Sequence, residues 1–423
     1  MRDVFLIKKR YHVVVLLLFV LSNDCISQNL EAKYWYFGLG SGIEFVNGIP
    51  RANLNGIHAS ASAVASISDA KGKLLFYADR FNIYNAQHDT MLNGANILNA
   101  TNLLIVKKPL SGNEYYLFST ESYPNSDPYS GRCKYSIIDM NDDNLNGSVK
   151  LSAYLPFFVN LRGISVIDHS NHQDKWIILK SDTAEEFISV PLTPSGLDLN
   201  SIQLSYFGKF LFNAHLFMKS SPNSKYLACV NRAPKGQLEI FKTNNTTGQL
   251  SNRIFSDSTG ILGEALYCSF SSNSKHIFVS KRNKLIAFDV TSEDSNLIKA
   301  SLLVVDSNLS INSLMGDHQL GLDGHLYFIN VDPEFQKSKK LSRIKCPDNI
   351  FNKIIIEDTV IGPLGRSIGI QLPTLNQTLY VNTHKLQAQS LSKDTLCPGD
   401  STQLLAYGAS ADQFIWSPGV GLS

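Results

Sequence analysis

The sequence predicts an all-β protein, a β-propeller of about seven four-stranded blades followed by the start of an immunoglobulin-like β-sandwich. Three observations carry this. A polar turn followed by a short apolar strand returns along the chain, at a spacing that becomes close to 50 residues. No window holds a sustained helical period, which leaves strands as the repeated element. Charged residues make up only 17% of the 423 residues, against 23 Phe and 17 Tyr, a composition suited to pleated faces filled by aromatic and β-branched side chains.

The repeated unit is found at Gly72–Tyr77, Asn113–Phe118, Asp174–Leu179, Asn223–Ala228, Asn273–Phe278, Asp323–Phe328 and Asn376–Val381. Asn, Asp, Gly and Ser open each copy because they tolerate left-handed or self-bonded backbone. The strand that follows is nearly all apolar, which implies burial on both faces. A further strand follows two of the copies, at Leu238–Phe241 and Leu285–Phe288. Some 50 residues accommodate about four short strands with their turns, one propeller blade. Seven copies therefore predict seven blades, with six and eight as the neighbouring counts. The segment Tyr34–Gly38 fits as an extra strand that completes the last blade near Gln371–Val381, hiding edges that would otherwise pair with other chains.

The ends of the chain have a different character. Arg2, Lys8, Lys9 and Arg10 precede the apolar run Val13–Leu21, and small residues precede Gln28. This is the pattern of a secretory signal peptide over 1–27, the alternative being an uncleaved anchor. No other segment is long and apolar enough to cross a membrane. Residues 28–385 form the propeller in this reading, 386–394 a polar linker, and 395–423 an incomplete sandwich domain. Its signs are the Cys397-Pro398-Gly399-Asp400 turn, the strand Gln403–Ala406 and the Trp416 strand. A sandwich needs roughly 80–100 residues, so the chain is expected to stop inside that domain.

With 38 Lys+Arg, 36 Asp+Glu and no basic stripe, nucleic acid is not the expected partner. After loss of the leader, Cys133, Cys229, Cys268, Cys346 and Cys397 remain. They form no CxxC pair, so zinc has no support. Export permits disulfides, and Cys229 with Cys268 is one pairing the repeats allow.

Three stretches together resemble a known family: Tyr34–Gly38 with Gly42–Phe45 and Gly48–Pro50; Ser66–Tyr77 with Met91–Gly94; and Leu396–Asp400 with Trp416–Pro418. The family comprises large exported Bacteroidetes proteins that begin with a WD40-like propeller and continue into PKD or immunoglobulin-like domains. They usually end in a gliding-motility-associated domain, the sorting signal of type IX secretion. The resemblance implies secretion or an outer cell-surface location, and a chain cut before that sorting domain. Ala78-Asp79-Arg80 departs from the family's usual Thr-Asp-Gly. Asp followed by Ser or Thr and a methyl-bearing residue resembles the O-glycosylation site of such proteins. It occurs at Thr90, Thr183, Ser258, Thr359, Thr395 and Ser401, and the plain alternative is that Asp-Ser and Asp-Thr are common turn pairs.

Catalytic signatures are sparse. There is no GxSxG elbow, HExxH pair or phosphate-binding loop. His169 and His172, flanked by Asp168 and Asp174, read as a polar turn before a strand rather than as a metal pair. The acidic loop Asp139–Gly147 lacks the Gly and Glu of an EF-hand; it admits loose calcium binding at most, and no other cofactor is expected. The Ser221–Lys225 run is similar to the blade turn of lactonase-type propellers, a generic turn that says nothing of lactone chemistry. The expected function is a secreted or cell-surface binding module that presents loops to an extracellular glycan or protein, in adhesion or gliding. The alternative is a propeller-type polysaccharide hydrolase or lyase, whose acids would come from carboxylates such as Asp79, Glu121 and Asp317.

Overall fold

Six of the seven repeated turns close a hairpin, and five of these do so with one hydrogen-bond plan. The first residue's N–H donates across the turn: Asp69 to Lys73 O, His169 to Asp174 O, Ser221 to Tyr226 O, Ser271 to His276 O and Gly321 to His325 O, at 2.8–2.9 Å. A residue two or three positions before the returning strand is left-handed: Gly72 (φ 84°), His172 (φ 59°), Ser224 (φ 57°), Ser274 (φ 63°) and Gly324 (φ 75°). A side-chain oxygen completes several of them. Ser221 Oγ accepts from Tyr226 N at 2.9 Å, and Ser271 Oγ from His276 N at 3.0 Å. Different residues thus meet the same backbone demand.

The computed structural model describes residues 30–60, 62–122, 130–182, 185–207, 216–231, 237–257, 265, 267–281, 284–306, 314–331, 341–350, 354–361, 366–380, 387–390 and 404–407. The leader at 1–27 and most of 395–423 lie outside them.

The described chain is nearly all β and propeller-like. The strands are β1 (Tyr34–Phe37), β2 (Ser41–Val46), β3 (Ile49–Ala52), β4 (Ala65–Ser68), β5 (Leu74–Ala78), β6 (Ile83–Asn85), β7 (Ala100–Lys107), β8 (Glu114–Ser122), β9 (Ser130–Asp139) and β10 (Ser148–Asp168). Next come β11 (Lys175–Ser181), β12 (Glu186–Thr193), β13 (Gly196–Leu197), β14 (Gln203–Tyr206), β15 (Leu216–Ser220), β16 (Tyr226–Asn231), β17 (Gln237–Thr243) and β18 (Leu250–Ser256). Then follow β19 (Tyr267–Phe270), β20 (His276–Ser280), β21 (Leu285–Asp289), β22 (Leu303–Asp306), β23 (Leu314–Leu320), β24 (Leu326–Val331), β25 (Leu341–Lys345) and β26 (Ile355–Ile361). Three four-stranded antiparallel meanders are regular: β15–β18, β19–β22 and β23–β26. Six of the seven repeated strands are β5, β8, β11, β16, β20 and β24, each the second strand after its turn.

The first strands lie side by side around a common axis. β4 packs beside β7, β7 beside β10, β10 beside β15, β15 beside β19 and β19 beside β23. Residues 367–374 complete the ring: Asp317 N donates to Ile370 O at 3.0 Å and Thr374 N to Val64 O at 3.3 Å. Apolar clusters fill the wedges between sheets. One joins Ala228, Val230 and Ile240 to Cys268, Phe270 and Ile277. Another joins Ile167, Trp176 and Ile178 to Met218, Leu227 and Cys229.

Four expectations are corrected. First, not every sheet is a separate four-stranded blade. β10 runs for 21 residues, pairs with β9 over its first part and with β11 from Ile164 onward, and so joins two sheets into one eight-stranded path. The register shifts between Val159 and Ile164, where Arg162 is left-handed (φ 71°).

Second, the copy at Asn376–Val381 is not a strand: Gln377–Tyr380 is a 3-10 turn. Asn376 starts it with the same local chemistry, its Oδ1 accepting from Thr378 N at 3.1 Å, but the chain there crosses the axis instead of entering a sheet.

Third, the N-terminus supplies more than one strand to the closure. β1–β3 form a sheet packed between its two neighbours. Trp35 meets Tyr327 edge-on at 5.6 Å, and Tyr36 meets Tyr77 at 4.4 Å. Leu39 N donates to Ser367 O at 2.9 Å, just before the expected region Gln371–Val381 rather than within it.

Fourth, Cys133, Cys229 and Cys268 are free and buried, and Cys346 is free and exposed. Cys229 and Cys268 stand within sheets whose registers are fixed by their own ladders. Cys397 lies outside the described residues.

One short helix, α1 (Ser295–Ala300), is capped by the Asp294 side chain. Among the described residues no helix is long and apolar enough to cross a membrane. Gln387–Ser390, read from its polarity as linker, pairs antiparallel with Leu404–Tyr407.

Candidate functional site: the central channel

The axis of the ring is where groups from separate sheets converge. Its two ends differ. At one end lie the tight turns, and they interlock. Asp168 N donates to Ser224 Oγ at 3.0 Å, Asn223 N to Ser274 Oγ at 3.1 Å and Asn273 N to Asp348 Oδ1 at 2.8 Å. At the other end lie the starts of the first strands, Ala100, Leu216 and Tyr267 among them.

The turn end is filled by the chain's own residues 377–380, while Thr374 lies further along the axis, against the Asn102 side chain that also holds the Arg162 carbonyl. Thr378 Oγ1 donates to Asp168 Oδ1 on β10 at 2.8 Å. Gln377 Nε2 reaches Gln319 Oε1 on β23 at 3.3 Å, and Gln319 Nε2 reaches Tyr380 Oη at 3.2 Å. Thr374 Oγ1 donates to Asn102 Oδ1 on β7 at 2.9 Å. Tyr380 is fully buried.

Midway along the axis, Lys219 on β15 spans to β23, donating to His318 O at 2.9 Å with Asp317 Oδ1 at 3.7 Å. Burial pushes the Asp317 carboxyl up, against the opposing pull of Lys219 and the N–H groups of His318 and Leu372. Burial pushes His318 down to about 3, and Lys219 adds to that shift. Burial also raises the neighbouring thiols, Cys268 to about 12. A neutral thiol is a poor nucleophile, so neither Cys229 nor Cys268 is arranged for covalent chemistry.

At the end away from the turns stand Arg162, Phe217 and Tyr267, each near the start of its first-strand segment. The two rings make a buried cluster of their own at 4.4 Å between centroids. The Arg162 guanidinium lies 5.1 Å over the Phe217 ring. Arg162 N donates to Thr120 Oγ1 at 3.2 Å, and its carbonyl accepts from Asn102 Nδ2 at 3.1 Å. Sequence reasoning missed this trio. Its one signal was a charge and a glycine, Arg162-Gly163, inside an otherwise apolar strand.

The structure keeps the three candidate acids apart. Asp79 is a turn cap, its Oδ1 accepting from Phe81 N and Asn82 N at 2.9 Å and its Oδ2 from Tyr84 Oη at 3.0 Å. Glu121 on β8 accepts from Ser119 Oγ and Tyr154 Oη, both at 2.8 Å. Of the three, Asp317 alone is on the channel wall. His169 belongs to its turn: its Nδ1 accepts from Asn171 N at 3.0 Å and its ring stacks on Trp176 at 5.8 Å. In the acidic loop, Asp142 Oδ2 accepts from Ser148 Oγ at 2.6 Å and is paired with Lys150. Thr90 is exposed. Thr183, Ser258, Thr395 and Ser401 lie outside the described residues, as does the side chain of Thr359.

No family model matches the chain, and no curated protein matches it. Solved structures similar to it include a protein assigned as a 6-phosphogluconolactonase from Bacteroides uniformis. That likeness has 11% identity, 80% of this chain and 98% of that one, and a TM-score of 0.48. The periplasmic gluconolactonase of Pseudomonas aeruginosa is 12% identical over 74% of this chain and 78% of its own, with a TM-score of 0.40. The Dos1 propeller is 11% identical over 70% and 68%, with a TM-score of 0.42. The propeller-like architecture rests on the sheets and contacts described above, not on these likenesses.

Proposed function

We propose that the chain is an exported binding and structural module, a seven-bladed propeller that offers one face of its disc to an extracellular glycan or protein partner. In this reading the seventh blade takes its inner strand from residues 367–374 and its outer strands from β1, β2 and β3. The leader at 1–27 supports export to the surface or the medium. The Cys397–Asp400 and Trp416–Pro418 sequence motifs support kinship with exported Bacteroidetes proteins that carry PKD or immunoglobulin-like domains, and hence a role in adhesion or gliding.

The observation that carries the proposal is the difference between the two ends of the axis. The tight turns bind one another in a belt, from Asp168 to Ser224 and from Asn223 to Ser274, and the chain's own Gln377–Tyr380 segment occupies that end. The opposite end carries the trio Arg162, Phe217 and Tyr267. Loops held by a rigid scaffold are where binding residues concentrate. Binding rather than hydrolysis or lysis is supported by the acids, since Asp79, Glu121 and Asp317 stand on three sheets and each already accepts fixed donors.

A glycan and protein array probed with the recombinant region 29–385 tests this. Saturable capture of one glycan or protein class is expected. Capture of nothing, or shortening of a polysaccharide by the same preparation, would overturn it.

A further inference from the structure

We propose that Arg162, backed by Phe217 and Tyr267, is an anion-binding site at the end of the channel away from the tight turns for a ring-bearing organic carboxylate, with acidic sugars of the uronate kind as the fitting class. This deepens the binding reading above and rests on it.

Four observations converge on the trio. Arg162 holds a left-handed backbone (φ 71°), which costs a residue with a side chain roughly 1 kcal/mol or more. Gly163, next to it, would take that conformation freely, yet the arginine occupies it. The backbone is held there from two other strands, by Thr120 Oγ1 on β8 and Asn102 Nδ2 on β7. The side chain is therefore aimed by the surrounding sheets.

The guanidinium, so aimed, forms no hydrogen bond or ion pair among the described residues, and its Nε is shut off from water without a partner. An unsatisfied donor on a charged group is expensive. Such groups persist where a ligand satisfies them.

The surroundings set the class of ligand. Lys219 and Asp317 face one another across the axis at 3.7 Å; Arg162 also acts on the Asp317 carboxyl, but among the described residues no carboxylate forms an ion pair with its guanidinium, so the site is left positive. Guanidinium forks match carboxylates in two parallel hydrogen bonds. The Phe217–Tyr267 pair contributes an apolar wall of ring faces beside that fork, a surface that suits the carbon face of a ring better than a bare inorganic ion. A ligand with a carboxylate on a ring uses both.

The test is calorimetric titration of the purified full chain with D-glucuronate, D-glucose and inorganic phosphate, for the parent protein, Arg162→Gly and Arg162→Lys. Arg162→Gly removes the charge while accepting the left-handed backbone, so its thermal midpoint is expected to be unchanged or higher. The parent is expected to bind glucuronate at least tenfold more tightly than glucose or phosphate. Arg162→Gly should lose that preference, and Arg162→Lys should keep part of it without the fork. No binding of glucuronate by the parent, or equal binding by a folded Arg162→Gly, overturns the site. Phosphate bound as tightly as glucuronate overturns the ring-bearing class. Should Arg162→Gly fail to fold, Arg162→Lys decides: affinity equal to the parent's contradicts the fork. Array capture that survives in Arg162→Gly separates this proposal from the broader binding reading, which fails only if the parent captures nothing.

Discussion

The regular sheets β15–β18, β19–β22 and β23–β26 and the closing sheet β1–β3 solve the same packing problem with different chain economies. In a regular sheet all four strands come from one stretch, and a local turn sets the register. In the closing sheet the β1–β2 turn and the first residue of β2 meet residue 367, more than 300 positions away, through Leu39 N to Ser367 O and Ser41 Oγ to Ser367 O. No local turn can set that register. Close fit sets it instead: a Cβ on Gly38 would sit 2.3 Å from Ser367 O and 2.5 Å from the Ile368 carbonyl carbon. The regular sheets are thus written locally, while the closing sheet depends on the whole ring being assembled. The ring in turn needs it to bury the faces of two neighbours.

Damage to the closing sheet should therefore lower the stability of the whole ring. The largest effect is expected for Trp35→Ala. Trp35 is fully buried and lies edge-on to Phe45 at 5.3 Å and Tyr327 at 5.6 Å. Loss of about 3–5 kcal/mol is expected, read as a shift of the main denaturant transition. A separate early transition with the main one unmoved would break the comparison.

Acid should act on both kinds of sheet. His318 in the β23 sheet is held neutral down to about pH 3, and His58 beside β1 is also shifted down by burial. Both bind protons more readily when unfolded. The stability they contribute is complete above about pH 6.5 and is lost as pH falls toward their folded values, at roughly 1.4 kcal/mol per pH unit for each group. His318→Gln should flatten the midpoint-against-pH curve between pH 6.5 and 4.5; a curve of unchanged slope would contradict this.

Gly38→Ala comes next, at about 2–3 kcal/mol, since the new methyl meets backbone that cannot swing away. Thermal denaturation reads it, with Gly48→Ala as the control for a left-handed glycine (φ 75°) that has open space around it.

The smallest effect belongs to the regular turns. Ser274→Ala keeps the left-handed backbone and loses the oxygen that accepts from Asn223 N, for a cost of about 1 kcal/mol. Ser274→Gly loses the same bond but relieves the strain, and should be near neutral. Equal losses in the two variants would show that strain plays no part.

This contrast also explains what was legible in the sequence. Six repeated turns announced six second strands because each turn's chemistry is local, as in Ser221 with Tyr226 N and Asp69 Oδ1 with Lys73 N. Asn376 carries the same local signal and misled, because partners on β7, β10 and β23 hold that segment on the axis. The doubled strand β10 was hidden for a related reason. The turn-type residues Asn160, Gly163 and Ser165 are scattered singly through Val159–Ile167 rather than clustered, and a single left-handed residue, Arg162, bends the chain from one sheet into the next. The channel trio was invisible because Arg162, Phe217 and Tyr267 come from three different repeats, and only ring closure brings them together.

The claim that both ends of the chain close one cooperative ring is tested most directly by native-state hydrogen exchange of the β1 amides against those of β16. The account predicts that the slowest amides of Tyr34–Phe37 open with the same free energy as those of Leu227–Val230, through unfolding of the whole ring. Exchange of β1 at a cost several kcal/mol lower, as for a frayed terminus, would contradict it.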